Sequence, residues 1–330
     1  MTMSPGEDWR PSATLEALRE RAALLGRARE FFAARSVLEV DTPLIVNSPV
    51  SDVHIASATV GLGGERGAAG AEVPLFLHTS PEYAMKRLLA AHRRDIYQIC
   101  HVVRGNERGR LHNPEFTLIE WYRLGFTLTA LMDEVETLVR ILLGPAGAAR
   151  RSEHLSYREA FVRELALDPF TAAEAELLEA ARRLGLKSPG ANRDELLEFL
   201  MGVRVGPRLG HGALTFIHGY PATQAALARL DPADPRAALR FELYCDGVEL
   251  ANGFHELQSA AEQRARFERD NAERQRTRQP VRPPDERLLA ALSSGLPDCS
   301  GVALGFDRTL MLALGAKHID AVLAFPTGRA

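Results

Sequence analysis

The sequence predicts an α+β fold in which an antiparallel sheet is flanked by helices. Residues 96–104 and 115–122 are two apolar runs joined by a polar loop, which is typical of a β-hairpin. Apolar residues recur at spacings of three and four over 13–36 and 126–143, which predicts helices.

The remaining elements are predicted in chain order from the same patterns. Strands are expected at 39–46, 214–218, 241–250 and 302–304, and helices at 257–279 and 308–314. A small helical insert is expected at about 169–205, with helices at 172–184 and 193–201 broken by 187–190. The glycine-rich stretch 61–70 has no phosphate-loop spacing and is predicted to be a solvated hairpin tip.

Bulk properties exclude several classes of protein. The formal net charge of −3 over 330 residues argues against a general nucleic-acid binder. Cys100, Cys245 and Cys299 are scattered, so neither a disulfide framework nor a zinc site is indicated. Because the N-terminus has no signal-peptide pattern and no long apolar run occurs, we expect a cytoplasmic protein without membrane contact.

The hairpin residues indicate a specific chemistry. Side chains alternate in a strand, so Phe116, Glu120 and Tyr122 are expected on one face. An aromatic ring, a carboxylate and a phenol beside Arg104 suit a nucleotide and an amine. A plain amphipathic hairpin would explain the alternation, but not the residues His-Asn-Pro-Glu-Phe of 112–116.

Four segments together resemble a known family. Residues 104–122 are similar to motif 2 of class II aminoacyl-tRNA synthetases of the lysyl branch, and 301–308 to motif 3. Residues 80–89 resemble the amino-acid-binding segment and 247–257 the acidic strand. The similarity runs from about Trp9 to the C-terminus in family order, and four ordered motifs are far more specific than one. It is strongest to short relatives of lysyl-tRNA synthetases that join (R)-β-lysine to elongation factor P.

The resemblance implies an ATP-dependent ligase that forms an aminoacyl-adenylate. Arg104 and Arg308 would be catalytic, bridging the α-phosphate and holding the γ-phosphate of ATP. The other implied ATP contacts are Asn106, Glu107, His112, Asn113, Phe116, Glu249, Leu250 and Gly305. The family has a glutamate two places after the motif 2 arginine, but Asn106 stands here and Glu107 follows. Either of the two could accept from the adenine amino group.

The acidic strand is expected to bind Mg²⁺. Glu249 and Glu256 lie seven residues apart, which on an unbroken strand would place them on opposite faces. A bulge at Asn252–Gly253 would restore a common face. Carboxylates near ATP phosphates would be repulsive without a cation between them.

The substrate implied by the resemblance is (R)-β-lysine, with lysine as a poorer substrate. The implied contacts are Ser80, Pro81, Glu82, Glu120, Tyr122, Glu256 and Ala303. Glu82 and Glu120 are expected to pair with the two ammonium groups, since a buried ammonium needs a carboxylate. Ala303 stands where lysyl-tRNA synthetases generally have glycine, which is consistent with a preference for a β-amine.

The predicted partners are elongation factor P and a second copy of the chain through motif 1, the helix, strand and Pro43 of residues 13–46. Too few residues precede that helix for an OB-fold, so a single catalytic domain over 1–330 is expected, with no N-terminal anticodon domain. A tRNA acceptor is therefore disfavoured. The alternatives are a truncated lysyl-tRNA synthetase-like enzyme that charges a tRNA, and a non-catalytic synthetase-like regulator.

Overall fold

The computed structural model describes residues 9–61, 74–188 and 190–330. Their helices are α1 (Leu15–Ala33), α2 (Glu82–His92), α3 (Leu128–Leu143), α4 (Pro145–Ala148), α5 (Tyr157–Leu165), α6 (Glu174–Arg183), α7 (Arg193–Leu200), α8 (Ala260–Arg276), α9 (Glu286–Gly295) and α10 (Phe306–Ala313). Their strands are β1 (Leu38–Glu39), β2 (Ile45–Val46), β3 (Thr59–Val60), β4 (Leu75–Leu77), β5 (Ile96–Val103), β6 (Glu115–Leu124), β7 (Arg151–Ser156), β8 (Ala213–Pro221), β9 (Ala237–Cys245), β10 (Val248–His255) and β11 (Cys299–Gly305). The predicted glycine-rich hairpin tip lies outside the described residues, apart from Gly61.

The chain divides into two compact units. The first consists of residues up to Leu124 together with Gln258–Asp298 and Ala303–Ala330, and the second of Gly125–Leu257 with Cys299–Val302. The assignment of residues 1–330 to one catalytic domain remains a prediction. Over the described ranges, no helix has the length and apolar character needed to cross a bilayer.

The predicted hairpin is present in the first unit. β5 and β6 pair antiparallel, with Gln98 opposite Glu120, Val102 opposite Phe116, and Ile96 opposite Tyr122. Residues directly opposite in a ladder have their side chains on the same face. The face predicted to bind substrate therefore also carries Gln98.

Helix α1 covers the other face of this hairpin. The ring of Phe32 stacks on Tyr97 at a centroid distance of 4.2 Å and meets Trp121 edge-on at 5.3 Å. All three side chains are buried. The helix begins after Thr14, whose hydroxyl accepts a hydrogen bond from the Ala17 N–H. Because α1 fills the Trp121 face, the Glu120 face is separate from this core.

Two predictions about the strands are wrong. The expected strand 39–46 is divided into β1, which pairs parallel with β5, and β2, which pairs antiparallel with β4. Pro43, which has no N–H to donate to a ladder, lies between them. The predicted antiparallel sheet is mixed, because β7 and β8 also pair parallel. The α+β class itself is confirmed.

In the second unit β8, β9 and β10 pair antiparallel. The predicted continuous strand 241–250 is interrupted by a tight turn at Asp246–Gly247, where both residues have positive φ, 49° and 72°. Two residues with positive φ form the turn whose twist matches a two-residue hairpin. The Asp-Gly pair therefore separates β9 from β10.

The predicted insert helices are present as α6 and α7. They pack in a buried cluster that includes Phe161 of α5 and Ile217 of β8. Tyr157 stacks on Phe161 at 4.5 Å. Helix α5 was not predicted, although Ser156 and Glu159 form a capping box at its start.

Candidate active site

Arg104 contacts two other residues of the motif 2 segment and the backbone just before the amino-acid-binding segment, all within the first unit. Its Nε donates to the backbone carbonyl of Thr79 over 3.3 Å, and its Nη1 donates to Glu107 Oε1, also over 3.3 Å. Its guanidinium carbon lies 5.1 Å from the centre of the Phe116 ring. An arginine held against an aromatic ring in this way can bind an anion beside a stacked base.

The structure distinguishes the surroundings of the two residues offered as adenine contacts. Glu107 forms an ion pair with Arg104, and both side chains are partly exposed. Asn106 is exposed. The Glu107 carboxylate is thus paired with Arg104, whereas Asn106 is exposed in the same loop.

Arg308 and His112 also contact each other in this unit. Arg308 Nη2 lies 2.6 Å from His112 Nε2, and Arg308 Nε donates to the carbonyl of Leu111 over 3.2 Å. Burial, and then the charge of Arg308, lowers the pKa of His112 below its ordinary value. Since a neutral imidazole has one nitrogen without a proton, His112 can accept from Arg308 at neutral pH.

A buried carboxylate for which no role was predicted contacts both segments that are predicted to bind the nucleotide. Asp307 Oδ2 accepts the Thr117 N–H over 2.7 Å, and Asp307 Oδ1 accepts from Arg21 over 2.5 Å. Thr117 follows Phe116 in the chain, and Asp307 precedes Arg308. One side chain therefore sets the backbone beside the predicted adenine platform and beside the predicted γ-phosphate ligand.

The side-chain amide of Asn113, a predicted ATP contact, forms hydrogen bonds within the protein at both its nitrogen and its oxygen. Its Nδ2 donates to the carbonyl of Glu115 over 2.6 Å, and its Oδ1 accepts the Thr327 N–H over 3.0 Å. These bonds join the start of β6 to the C-terminal segment. Asn113 Nδ2 has a second proton, which is the part of the amide left for a ligand. Gly305, another predicted contact, is the last residue of β11 and the N-terminal cap residue of α10.

Glu120 and Tyr122 form the predicted amine end of the hairpin face. Both are almost completely buried, with 2% of each exposed. The Tyr122 hydroxyl donates to Glu120 Oε1 over 2.8 Å. A phenol that donates to a carboxylate keeps its own oxygen lone pairs available as acceptors.

Glu82, which was expected to pair with an ammonium group of the substrate, already forms an ion pair within the protein. Lys86 Nζ donates to Glu82 Oε1 over 2.8 Å, one helical turn along α2, and Lys86 is 1% exposed. Ser80 and Pro81 precede this helix, with Pro81 as its N-terminal cap residue. The charge of Glu82 is therefore partly compensated before any substrate ammonium arrives. The i,i+4 spacing in the sequence was a sufficient signal for this pair.

In the second unit, β10 carries Glu249 and a bulge, and Glu256 follows the last residue of the strand. The register of β10 against β9 shifts between Glu249 and Ala251. The bulge was predicted at Asn252–Gly253, two to three residues further on, where pairing is regular. One extra residue at Leu250 reverses the alternation of side chains, so Glu249, Asn252 and Glu256 follow one face.

Arg240 sets the charge on that face of β9 and β10. It donates to Glu242 Oε1 over 2.5 Å and to Asn252 Oδ1 over 3.3 Å. Burial alone would lower the pKa of Arg240, but Glu242, Tyr220 and Glu249 together raise it. Gly253 is required here, because an added Cβ would lie 2.4 Å from the Phe241 ring.

The acidic pair fits Mg²⁺ only with help from a ligand. Across residues 9–61, 74–188 and 190–330, no group of three or more His, Cys, Asp or Glu side chains is placed to hold a metal ion. Mg²⁺ is usually bound in proteins through one or two carboxylates plus substrate phosphates and water. Glu249 and Glu256 on one face match that pattern.

The predicted site residues divide into two sets, one in each unit. Residues of the first unit are Ser80, Pro81, Glu82, Arg104, Asn106, Glu107, His112, Asn113, Phe116, Glu120, Tyr122, Ala303, Gly305 and Arg308. Residues of the second unit are Glu249, Leu250 and Glu256.

Comparison with protein families gives a match over nearly the whole chain. Residues 7–329 match the family model described as tRNA synthetases class II (D, K and N).

Curated relatives are similar over almost their full length. The chain is 48% identical over 329 residues to the "Elongation factor P--(R)-beta-lysine ligase" of Vibrio cholerae serotype O1, covering 98% of this chain and 99% of the relative. A protein of the same name from Yersinia enterocolitica serotype O:8 is 47% identical over 331 residues, covering 99% and 100%. A third from Vibrio parahaemolyticus is 48% identical over 322 residues, covering 97% and 98%.

Proposed function

Because the chain belongs to the class II tRNA synthetase family, we propose that it is an ATP-dependent ligase that joins (R)-β-lysine to a lysine of elongation factor P. The observation that carries the proposal is the cluster of Arg104, Phe116, His112 and Arg308 in one compact unit. The names of the relatives indicate the acceptor and the amino acid.

The first step is adenylate formation. A carboxylate oxygen of (R)-β-lysine attacks the α-phosphorus of ATP, a new P–O bond forms, and the bond to the bridging oxygen breaks to release pyrophosphate. Arg104 binds the substrate carboxylate and the α-phosphate, where two anions must approach each other. Arg308 binds the γ-phosphate. Neutral His112 orients the Arg308 guanidinium by accepting a hydrogen bond from it. Neither role is open to lysine, which lacks the planar fork of donors.

The second step transfers the acyl group. The ε-amine of the acceptor lysine attacks the carbonyl carbon, a C–N bond forms, and AMP leaves with the electron pair of the C–O bond. The amine loses one proton to solvent as the amide is formed. The mixed anhydride supplies the driving force, so the protein needs only to align the two reactants.

Adenine recognition follows from the motif 2 loop. Phe116 stacks on the base, a contact worth roughly 1–3 kcal/mol. The side-chain carbonyl of Asn106 accepts a hydrogen bond from the adenine amino group. Glu107, the other residue that could accept this bond, is paired with Arg104, which supports the assignment to Asn106. Asn113, with the second proton of its Nδ2, contributes a donor to ATP.

Glu249 and Glu256 would hold Mg²⁺ together with phosphate oxygens of ATP. When bound, the ion neutralises charge on the leaving pyrophosphate. Leu250 occupies the bulge between Glu249 and Ala251 and so keeps both carboxylates on one face. Arg240 restrains the same face through Asn252.

Replacing Glu256 with glutamine should raise the Mg²⁺ concentration needed for half-maximal activity. The substitution keeps the shape of a buried side chain but removes one of two charges that would bind the ion. The measurement is pyrophosphate exchange over a Mg²⁺ titration, with the exposed Glu268→Gln as control. A Mg²⁺ titration identical to that of the wild type would remove Glu256 from the metal site.

The proposed activity is tested by ATP–pyrophosphate exchange with a panel of amino acids. (R)-β-lysine should support the fastest exchange and L-lysine a slower one. Exchange with neither would contradict the ligase and favour a regulatory protein.

We further propose a homodimer through the motif 1 region and a cytoplasmic location, where elongation factors act. The large apolar side chains Leu38, Leu44 and Ile45 are 51%, 40% and 37% exposed, which supports burial against a second copy. Sedimentation equilibrium would detect a monomer if this is wrong.

A further inference from the structure

Gln98 is a buried amide on the substrate face to which none of the roles above applies. It is 1% exposed. Within the part of the chain that the structure describes, its Oε1 and Nε2 have no hydrogen-bond partner stronger than the Cys100 thiol, two residues along the same strand. The large majority of buried amides in proteins are paired, because leaving one unpaired is costly. A buried amide on a binding face, with only a weakly bonding thiol beside it, therefore indicates a ligand as the missing partner.

The position of Gln98 identifies which part of a ligand it would meet. It lies directly opposite Glu120 in the β5–β6 ladder. Side chains directly opposite in such a ladder begin about 4.5–5.5 Å apart at Cβ. Tyr122 lies two residues further along the same face of β6 and donates its proton to Glu120.

These three side chains present acceptors and no cation. Glu120 offers a carboxylate, Tyr122 offers the lone pairs of its phenol oxygen, and Gln98 offers its carbonyl oxygen. An ammonium group has three N–H donors and no acceptor. The set therefore matches one ammonium group with one negative charge and two neutral dipoles.

The next residue on this face supports that reading. Burial raises the pKa of the Cys100 thiol to about 12, so the thiol stays neutral at physiological pH. A thiol is only a weak hydrogen-bond partner for the neighbouring amide. No second full charge on this stretch of β5 competes with Glu120 for the amine.

We propose that Gln98 binds the ammonium group of the amino acid substrate together with Glu120 and Tyr122, and that it is a specificity-determining residue of the proposed ligase. The assignment rests on the proposed function, because it takes the substrate to be an amino acid that carries an additional amine.

The test is Gln98→Met, which removes the amide and keeps the side-chain length. The apparent KM for (R)-β-lysine in pyrophosphate exchange should rise about 10- to 100-fold, as expected for a hydrogen bond to a charged group. The KM for ATP should stay within about twofold. The melting temperature of the ligand-free protein should be maintained or raised, because a buried amide with only a weak partner is replaced by an apolar group.

Two further variants separate binding from structure. Gln98→Glu keeps an acceptor oxygen in place but adds a second carboxylate opposite Glu120. Its KM for (R)-β-lysine should stay well below that of Gln98→Met, while the melting temperature of its ligand-free form should fall because two buried like charges repel. Gln263→Met removes an equally buried glutamine, 2% exposed, from α8 and should leave that KM unchanged.

An unchanged KM in Gln98→Met would overturn the assignment, as would a melting temperature lowered by several degrees, because the amide would then be paired inside the protein. A KM in Gln98→Glu as high as in Gln98→Met would do the same. Failure of the proposed function would look different, since the wild type itself would then show no exchange with (R)-β-lysine or L-lysine.

Discussion

Replacing either Arg104 or Arg308 with alanine should lower kcat/KM for adenylation by at least about 100-fold. Both guanidinium groups are expected to act on charge that develops in the transition state, and losing one such donor typically costs a factor of about 10²–10³. The measurement is ATP–pyrophosphate exchange with (R)-β-lysine at several concentrations of each substrate.

The two variants should differ in how the loss is distributed. Arg104 is held by the Thr79 carbonyl next to the amino-acid-binding segment, so Arg104→Ala should raise the KM of both substrates. Arg308 contacts His112 and Leu111, so Arg308→Ala should act mainly through ATP.

Arg183→Ala is a matched control, because Arg183 is an exposed arginine of α6 paired with Glu179. Exposed ion pairs contribute little, so this variant should behave as the wild type. Exchange at wild-type rates in both active-site variants would refute the roles assigned to Arg104 and Arg308.

The hairpin shows what could be predicted from sequence. Alternation along β6 was enough to place Phe116, Glu120 and Tyr122 on one face, because the period of a strand is two. The pairing partner of Glu120 could not be predicted. Register between strands depends on the loop, and only the structure identifies Gln98 as the opposite residue.

A bulge in the acidic strand was predicted correctly, but at the wrong residues. A bulge was required to bring Glu249 and Glu256 to one face, and Asn252–Gly253 offered the flexible residues. The bulge instead follows Glu249, since Gly253 is needed where the Phe241 ring leaves no room for a Cβ. A glycine can serve close packing as well as a bulge, and the sequence does not distinguish the two.

Ion-pair partners were the least predictable part of the candidate site. No role was predicted for Asp307 within motif 3, yet it accepts hydrogen bonds from Thr117 and from Arg21, which lies 286 residues away in sequence on α1. Such a contact depends on how α1 and α10 pack. By contrast, Lys86 lies one helical turn from Glu82, so local geometry alone predicts their contact.

Incubation with ATP and (R)-β-lysine should add one lysyl group to elongation factor P. Amide formation with loss of water at the activated carboxylate adds roughly 128 Da, which intact mass spectrometry resolves. The expectation rests on the arginine and aromatic cluster of the first unit, and on relatives named for this acceptor that align over nearly their whole length.

Three controls make the mass shift specific. Replacing the acceptor lysine with arginine should abolish the shift, since a guanidinium is always charged and cannot attack a carbonyl. Omitting ATP should abolish it as well. The Arg104→Ala enzyme should slow it in proportion to its loss in pyrophosphate exchange, because both measurements share the adenylation step.

The result that would overturn the acceptor assignment is efficient charging of tRNA while elongation factor P stays unmodified. Adenylate chemistry would then be intact, and only the nucleophile of the second step would differ, a ribose hydroxyl in place of an amine. Pyrophosphate exchange cannot separate these two outcomes, because it ends before transfer. Both acceptors must therefore be present in one reaction, with the labelled amino acid counted in the protein and the tRNA fractions.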